Sequence, residues 1–390
     1  MQTYRLAALM LAVVASVMLD GIAARAENFS VLYSFLGPPD GGFPEAALIN
    51  VGGTLYGTTV EGGANNYGSV FTLTPAGVEN VIYSFKGSLT GPDGGGPSGR
   101  LIDVDSTLYG TTEAGGDGGC GTVFKVTPTG HETVLHSFGC SDGDQPLGGL
   151  IDVGGTLYGT TESGGSGDLG TVFKVTRAGK ETVLHSFGAT GDGTYPEAGL
   201  IDVGGTLYGT TLKGGTNNLG TVFTISTTGV ESVLYSFQGG ADANSPMAPL
   251  LNVGGTFYGT ASGGGGNLCE KGTYTCGAIF TVTPKGREAV LYSFQGKPDG
   301  MYPEAGLINV NGTLYGTTAG GGTGRNCAGE GCGTIFKLTL TGIETIVHSL
   351  TPDDGIRPNA SLLKLGHLLY GMAPGFGASG NGSVFTVNHH

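Results

Sequence analysis

The chain has 390 residues, 79 of them glycine; only 12% are charged, and the net charge is −14. Glycine at this level without a three-residue period excludes collagen, and the regular return of aliphatic and aromatic residues excludes global disorder. An acidic chain poor in Lys and Arg is not a nucleic-acid binder, which needs clustered cations, and does not suit anionic lipid; a polysaccharide or an extracellular protein remains as partner.

The first 26 residues read as a secretory signal peptide. Arg5 supplies the positive start, Leu6 to Leu19 the apolar run, and Ala24-Arg25-Ala26 a small-x-small cleavage site. The run is shorter than the roughly 20 residues a spanning helix needs, and no later segment is apolar enough to insert in a membrane. The expected product, residues 27–390, is a soluble monomer exported to the periplasm or beyond the cell. A fixed repeat makes it a single domain.

The mature chain starts with a short apolar strand, Val31–Phe35, and then repeats one unit seven times. The core of the unit, LYGTT at Leu207–Thr211, recurs with its Tyr at Tyr56, Tyr109, Tyr158, Tyr258, Tyr315 and Tyr370, at spacings of 53, 49, 50, 50, 57 and 55 residues. The fourth copy displays the plan. Pro196–Val203 reads as strand a, Gly204-Gly205 as a tight turn and Thr206–Thr211 as strand b. After a Gly- and Asn-rich loop come strand c, Thr221–Ser226, a second turn, and strand d, Glu231–Phe237. Four antiparallel strands in about 50 residues is the size of a propeller blade.

Adjacent apolar residues such as Leu207 and Tyr208, or Val222 and Phe223, need cover on both sheet faces, which neighbouring blades supply. Gly209 recurs mid-strand in every copy, which implies close approach of an adjoining backbone or ring. The last copy ends at a strand c, Ser383–Val387, with no strand d after it. The N-terminal strand completes it. The expected fold is all-β: a seven-bladed β-propeller of four antiparallel strands per blade, its ring closed by the N-terminal strand joining the last blade. A β-solenoid gives this frame shift no purpose.

Six Cys in an exported chain imply disulfides. Cys120, Cys276 and Cys332 hold the same repeat position, and Cys269 and Cys327 lie just upstream of two of them. The pattern predicts Cys269–Cys276 and Cys327–Cys332, leaving Cys120 with Cys140. No His lies near any pair, so zinc is not expected there.

The L-Y-G-T-T…G-G…G-T-V-F pattern behind a signal peptide resembles the bacterial tandem-repeat proteins called GloVer (Gloeo/Verruco) repeat proteins, over nearly all of residues 29–388. The resemblance brings no catalytic or binding residue with it. The blade plan is similar to that of NHL-type propellers, whereas the lack of Trp separates the chain from WD repeats.

In an antiparallel blade the b–c and d–a loops share one face of the ring. That face holds the variable, Cys-stapled loops and is the expected binding face. An Asp stands four residues before a Pro in every copy, from Asp40 and Pro44 to Asp354 and Pro358. Loop capping by Asp explains such a ring. Three copies add an aromatic and a carboxylate around the Pro: Phe43 and Glu45, Tyr195 and Glu197, Tyr302 and Glu304. This pairing suits a sugar face and its hydroxyls. Arg100 replaces a residue that is small in the other copies, which places it near a crowded central channel, and Arg357 replaces the aromatic before Pro. Both suit an anionic group such as a uronate.

These eight residues form the candidate ligand-binding set. His136, His185 and His348 occupy the Tyr slot of strand d and read as packing and surface residues. No catalytic constellation, phosphate loop or metal-type His pair stands out, so no metal site and no cofactor are assigned; Ca2+ is the ion left open, through the Asn and Asp residues that end strand a. The functional expectation is a non-catalytic scaffold for carbohydrate or cell-envelope partners. A polysaccharide lyase or hydrolase on the same face, or a structural surface protein, is the alternative.

Overall fold

Blade 4 shows how the repeat becomes structure. In the computed structural model, which describes residues 29–87, 91–269, 272, 274–325, 327 and 329–389, Thr206–Thr211 pairs with Thr221–Ser226, which pairs in turn with Glu231–Ser236. Strands b, c and d therefore stand where the sequence pattern puts them. Strand a is shorter, because only Ile201–Val203 pairs with strand b. Pro196 has no N–H for a ladder, and a carbonyl upstream serves the neighbouring blade instead: Thr160 Oγ1 donates to Ala198 O at 2.9 Å. A two-residue ladder, Gly193–Thr194 against Lys213–Gly214, ties the d–a loop to the b–c loop.

Seven such antiparallel sheets form the propeller, with no α-helix among the described residues. The seventh is built from Leu363–Leu365, Leu368–Ala373 and Ser383–Asn388, with Phe29–Ser34 added as its strand d. The closing pairs run from Phe29 with Val387 to Ser34 with Ser383. The leader expected over residues 1–26 lies outside the described residues.

Two repeated joints hold one blade to the next. The Gly before strand c has a positive φ, +98° at Gly220 and +88° at Gly382. A Cβ there would sit 2.8 Å from Pro246 Cδ or 2.6 Å from Pro44 Cδ, both in the following blade. The recurrent Gly and the recurrent Pro are thus two halves of one contact, and Gly382 with Pro44 is its ring-closing copy. The second joint uses the residue before Pro. Phe43, Gln145, Tyr195, Ser245, Tyr302 and Arg357 all take φ between 55° and 59°. In that conformation Tyr195 N donates to Leu169 O of the preceding blade, while Tyr195 O accepts from Leu212 N, each at 2.9 Å. Bulky side chains are rare at positive φ, and this pair of hydrogen bonds, one to the preceding blade and one to the end of strand b in its own, holds them there.

The core lies between blades. Phe223 of strand c meets Phe187 of the preceding blade edge-on, with centroids 5.2 Å apart. Gly209 lies opposite Phe223 in register, and a Cβ on it would fall 2.5 Å from Phe223 Cζ. The close neighbour implied by the mid-strand Gly is therefore a ring. Gly209→Ala is expected to destabilise the fold by about 1–3 kcal/mol, the usual cost of overpacking. A lower urea midpoint with an unchanged m-value would register it.

The three disulfides are Cys120–Cys140, Cys269–Cys276 and Cys327–Cys332, with Cα separations of 5.3, 5.0 and 5.3 Å. They fit an oxidising compartment outside the cytoplasm. Among the described residues no helix is long and apolar enough to cross a membrane.

Candidate functional site

The start of strand a from each of the seven blades lines a central channel of about 720 Å³. Alternation along the extended start of strand a decides what faces it. In blade 4, Ala198 and Leu200 are buried, which leaves Glu197 and Ile201 on the channel wall. The equivalent positions bring Glu45, Ser98, Glu304 and Asn359 to the mouth with Glu197. One step deeper, Arg100 stands among small residues, and a Cβ on Gly149 would lie 3.2 Å from its Cβ. The Arg100 side chain is open to channel water but ringed by protein, and this burial lowers its pKa. It has no ion pair or hydrogen bond with a described residue.

The mouth is acidic. Burial, then Glu162 and Glu304, push Glu197 up to about 7, with Lys213 opposing. Burial and Glu61 raise Glu45. Burial also raises Glu304, where Arg357 works the other way and Glu330 and Glu45 add to the rise. Glu113 and Glu162 are raised by burial and by their acidic neighbours. Ser98 Oγ and Asn359 Oδ1 are shielded without a protein partner, so they are unspent hydrogen-bonding groups on the wall. Such a field favours neutral or cationic guests over anions.

A second cavity, about 390 Å³, opens on the same face between the stapled loops of blades 5 and 6. It unites Tyr302, Glu304 and Arg357 with Tyr274 of the Cys269–Cys276 loop and Glu330 of the Cys327–Cys332 loop. Glu304 borders both cavities, and Tyr274 is 69% exposed. Six of the eight predicted residues thus line one space or the other: Glu45, Arg100, Glu197 and Glu304 the channel, Tyr302 the groove. Arg357 joins Tyr302 there, whereas Phe43 and Tyr195 line neither space. Arg357 faces Glu304 and Arg100 lies below a carboxylate rim, a setting that opposes a uronate.

Sequence reading alone passed over Glu113 and Glu162. They follow strand b where other blades carry Val60, Leu212, Ser262, Ala319 and Pro374. The departure from the repeat that marks Arg100 marks them too.

The Asp ring caps its loops as its turn chemistry implies: Asp192 Oδ1 accepts from Gly193 N at 2.8 Å and Oδ2 from Gly188 N at 3.3 Å. Each Asp also has a partner on strand d. Tyr235 Oη donates to Asp242 at 2.9 Å, and His185 Nε2 pairs with Asp192 at 2.9 Å. The strand-d His residues are therefore loop partners of the Asp ring rather than surface residues, since His136 and His348 pair with Asp142 and Asp354 in the same way. A Glu that opens strand d of the next blade packs on the same Asp at six junctions: Glu79, Glu132, Glu181, Glu231, Glu288 and Glu344. Burial, then the Asp charge, raise them to about 7, and Glu288 to about 8. At the remaining junction Phe29 takes the place of the Glu and stacks on His348 at 3.9 Å.

Comparison with known proteins bears on the fold and the family. A candidate 6-phosphogluconolactonase from Bacteroides uniformis aligns with a TM-score of 0.51 and 14% identity, over 82% of this chain and 88% of that one. A puromycin-hydrolyzing peptidase from Mycobacterium tuberculosis aligns with a TM-score of 0.54 and 11% identity, over 88% of this chain and 50% of that one. At such identities the likeness is one of fold. No curated protein matches the sequence. The family model of the Gloeobacter/Verrucomicrobia repeat matches residues 78–269 and 266–390. With its seven blades and a repeat match over most of its length, the chain belongs to the Gloeobacter/Verrucomicrobia repeat family.

Proposed function

We propose that this propeller is an exported, non-catalytic scaffold that binds carbohydrate of the cell envelope or its surroundings. The observation that carries the reading is the groove between the stapled loops of blades 5 and 6. Its two tyrosines offer ring faces for a sugar, and Glu304, Glu330 and Arg357 offer hydrogen bonds to hydroxyls. The carboxylate rim beside it favours neutral or amine-bearing sugars.

A second reading has one observation in its favour. Glu197, at about 7, holds a proton near neutral pH and could serve as a general acid for polysaccharide hydrolysis or lysis at the channel mouth. The experiment is to incubate the intact protein with neutral, amine-bearing and uronate polysaccharides, measuring retention and the release of new chain ends together. Binding without new ends is expected, weakened about tenfold by Tyr302→Ala, equivalent to about 1.4 kcal/mol. New chain ends that disappear in Glu197→Gln would replace the scaffold with an enzyme. Neither retention nor turnover would leave a structural role.

A further inference from the structure

The junctions between blades 2 and 3 and between blades 3 and 4 differ chemically from the rest. At both, strand d carries His where four other junctions carry Tyr, and a Glu still follows on the next blade. His136 Nε2 lies 3.0 Å from Asp142 Oδ2, and His185 Nε2 lies 2.9 Å from Asp192 Oδ2. Glu181 and Glu231 each add a carboxyl oxygen, so that in both clusters the three donor atoms lie within 4.8 Å of one another. Asp192 is buried, and Oε1 of each Glu is shielded from solvent without a hydrogen-bond partner. The His and the Glu stand on strand d of adjacent blades, and the Asp on the loop that joins those blades.

We infer that His136, Asp142 and Glu181 form one divalent-metal site, and His185, Asp192 and Glu231 a second, both for ions of the Zn2+ class. One imidazole nitrogen and two carboxylates are a suitable donor set, bound at about 2.0–2.2 Å. A small rotation of the Glu closes its remaining distance. On binding, the imidazole carries its proton on Nδ1, while the Nε2 proton and that of the Glu carboxyl leave to solvent. The two carboxylates then balance the charge of the ion.

The other junctions act as internal controls. Where Tyr replaces His, a phenol donates to the Asp and no ring nitrogen is present, as at Tyr235 and Asp242. At His348 the nitrogen and Asp354 remain, but Phe29 replaces the Glu and covers the ring. That site should not take the ion.

The test uses Zn2+ alone on the full chain, first stripped with chelator, and counts retained metal by elemental analysis. Tyr is native to this slot elsewhere in the ring, so His→Tyr should preserve the fold. The expected result is one fewer equivalent in His185→Tyr and two fewer in the His136→Tyr, His185→Tyr double variant, with His348→Tyr unchanged. Subtraction removes any background from other histidines. Should a Tyr variant fail to fold, Glu181→Gln and Glu231→Gln read the same sites. Undiminished metal in the double variant, or no metal on the parent chain, overturns the proposal.

Discussion

A chain lacking residues 29–36 should fail to form a cooperative ring. The segment supplies the outer strand of blade 7, and its loss leaves Ser383–Asn388 with an open edge. It also removes Phe35, which is fully buried and packs edge-on against Phe71 at 5.1 Å. Emptying one buried Phe site costs about 3–5 kcal/mol, against about 5–15 kcal/mol for a whole native domain. The stack of Phe29 on His348 and the bond from Tyr33 to Asp40 go with it. The expected result is a non-cooperative melt with aggregation. A peptide of residues 27–37 added in excess should restore a cooperative transition, because a strand can join an exposed sheet edge through its backbone alone. A truncated chain that melts cooperatively within a few degrees of the parent would show that the ring closes without this strand.

The closure was legible because it is written as a frame shift: a strand d before the first repeat, and none after the last. The repeat likewise exposed Gly209, the loop-capping Asp residues and the three Cys pairs, since each recurs at one position or departs from it once. The joints between blades were not legible. The match of Gly220 to Pro246 spans two copies, and the positive φ of Tyr195 precedes a Pro, where local preference alone suggests extended backbone. The site was legible in part. Arg100 and Arg357 stood out as departures from the repeat and Tyr302 through the aromatic and carboxylate pairing that three copies share, whereas Glu231 and its counterparts recur and so looked structural. Their chemistry arises only when the Asp of one loop meets the Glu of the next blade, across about 40 residues of chain.

That meeting makes the propeller more stable in mild acid than in mild base. Each junction Glu binds its proton more tightly in the folded ring than in the unfolded chain, with pKa raised from 4.5 to about 7, and to about 8 at Glu288. The folded state is therefore favoured fully below about pH 4.5 by these groups, and the advantage is lost as pH rises through 7 and 8. His185 acts in the same direction: burial works against its charge, but Asp192 outweighs it and raises its pKa. Asp354 opposes, since burial is outweighed by His348 and Thr351 and its pKa is lowered, but its contribution is lost only in stronger acid. The junction carboxyls are about half buried, so solvent screening leaves roughly 0.5–1 kcal/mol each. Across six junctions the unfolding free energy should fall by several kcal/mol between pH 5.5 and 8.5, measured by urea unfolding with chelator present. Gln mimics the protonated carboxyl. Glu288→Gln should thus be nearly neutral at pH 5.5 and stabilising at pH 8.5, opposite to the loss expected if the native carboxylate were held by a cation. A flat pH profile, or a Glu288→Gln chain weakened at pH 8.5, would mean that these junctions carry ionised glutamates, and that the charge between blades is balanced by something other than a shared proton.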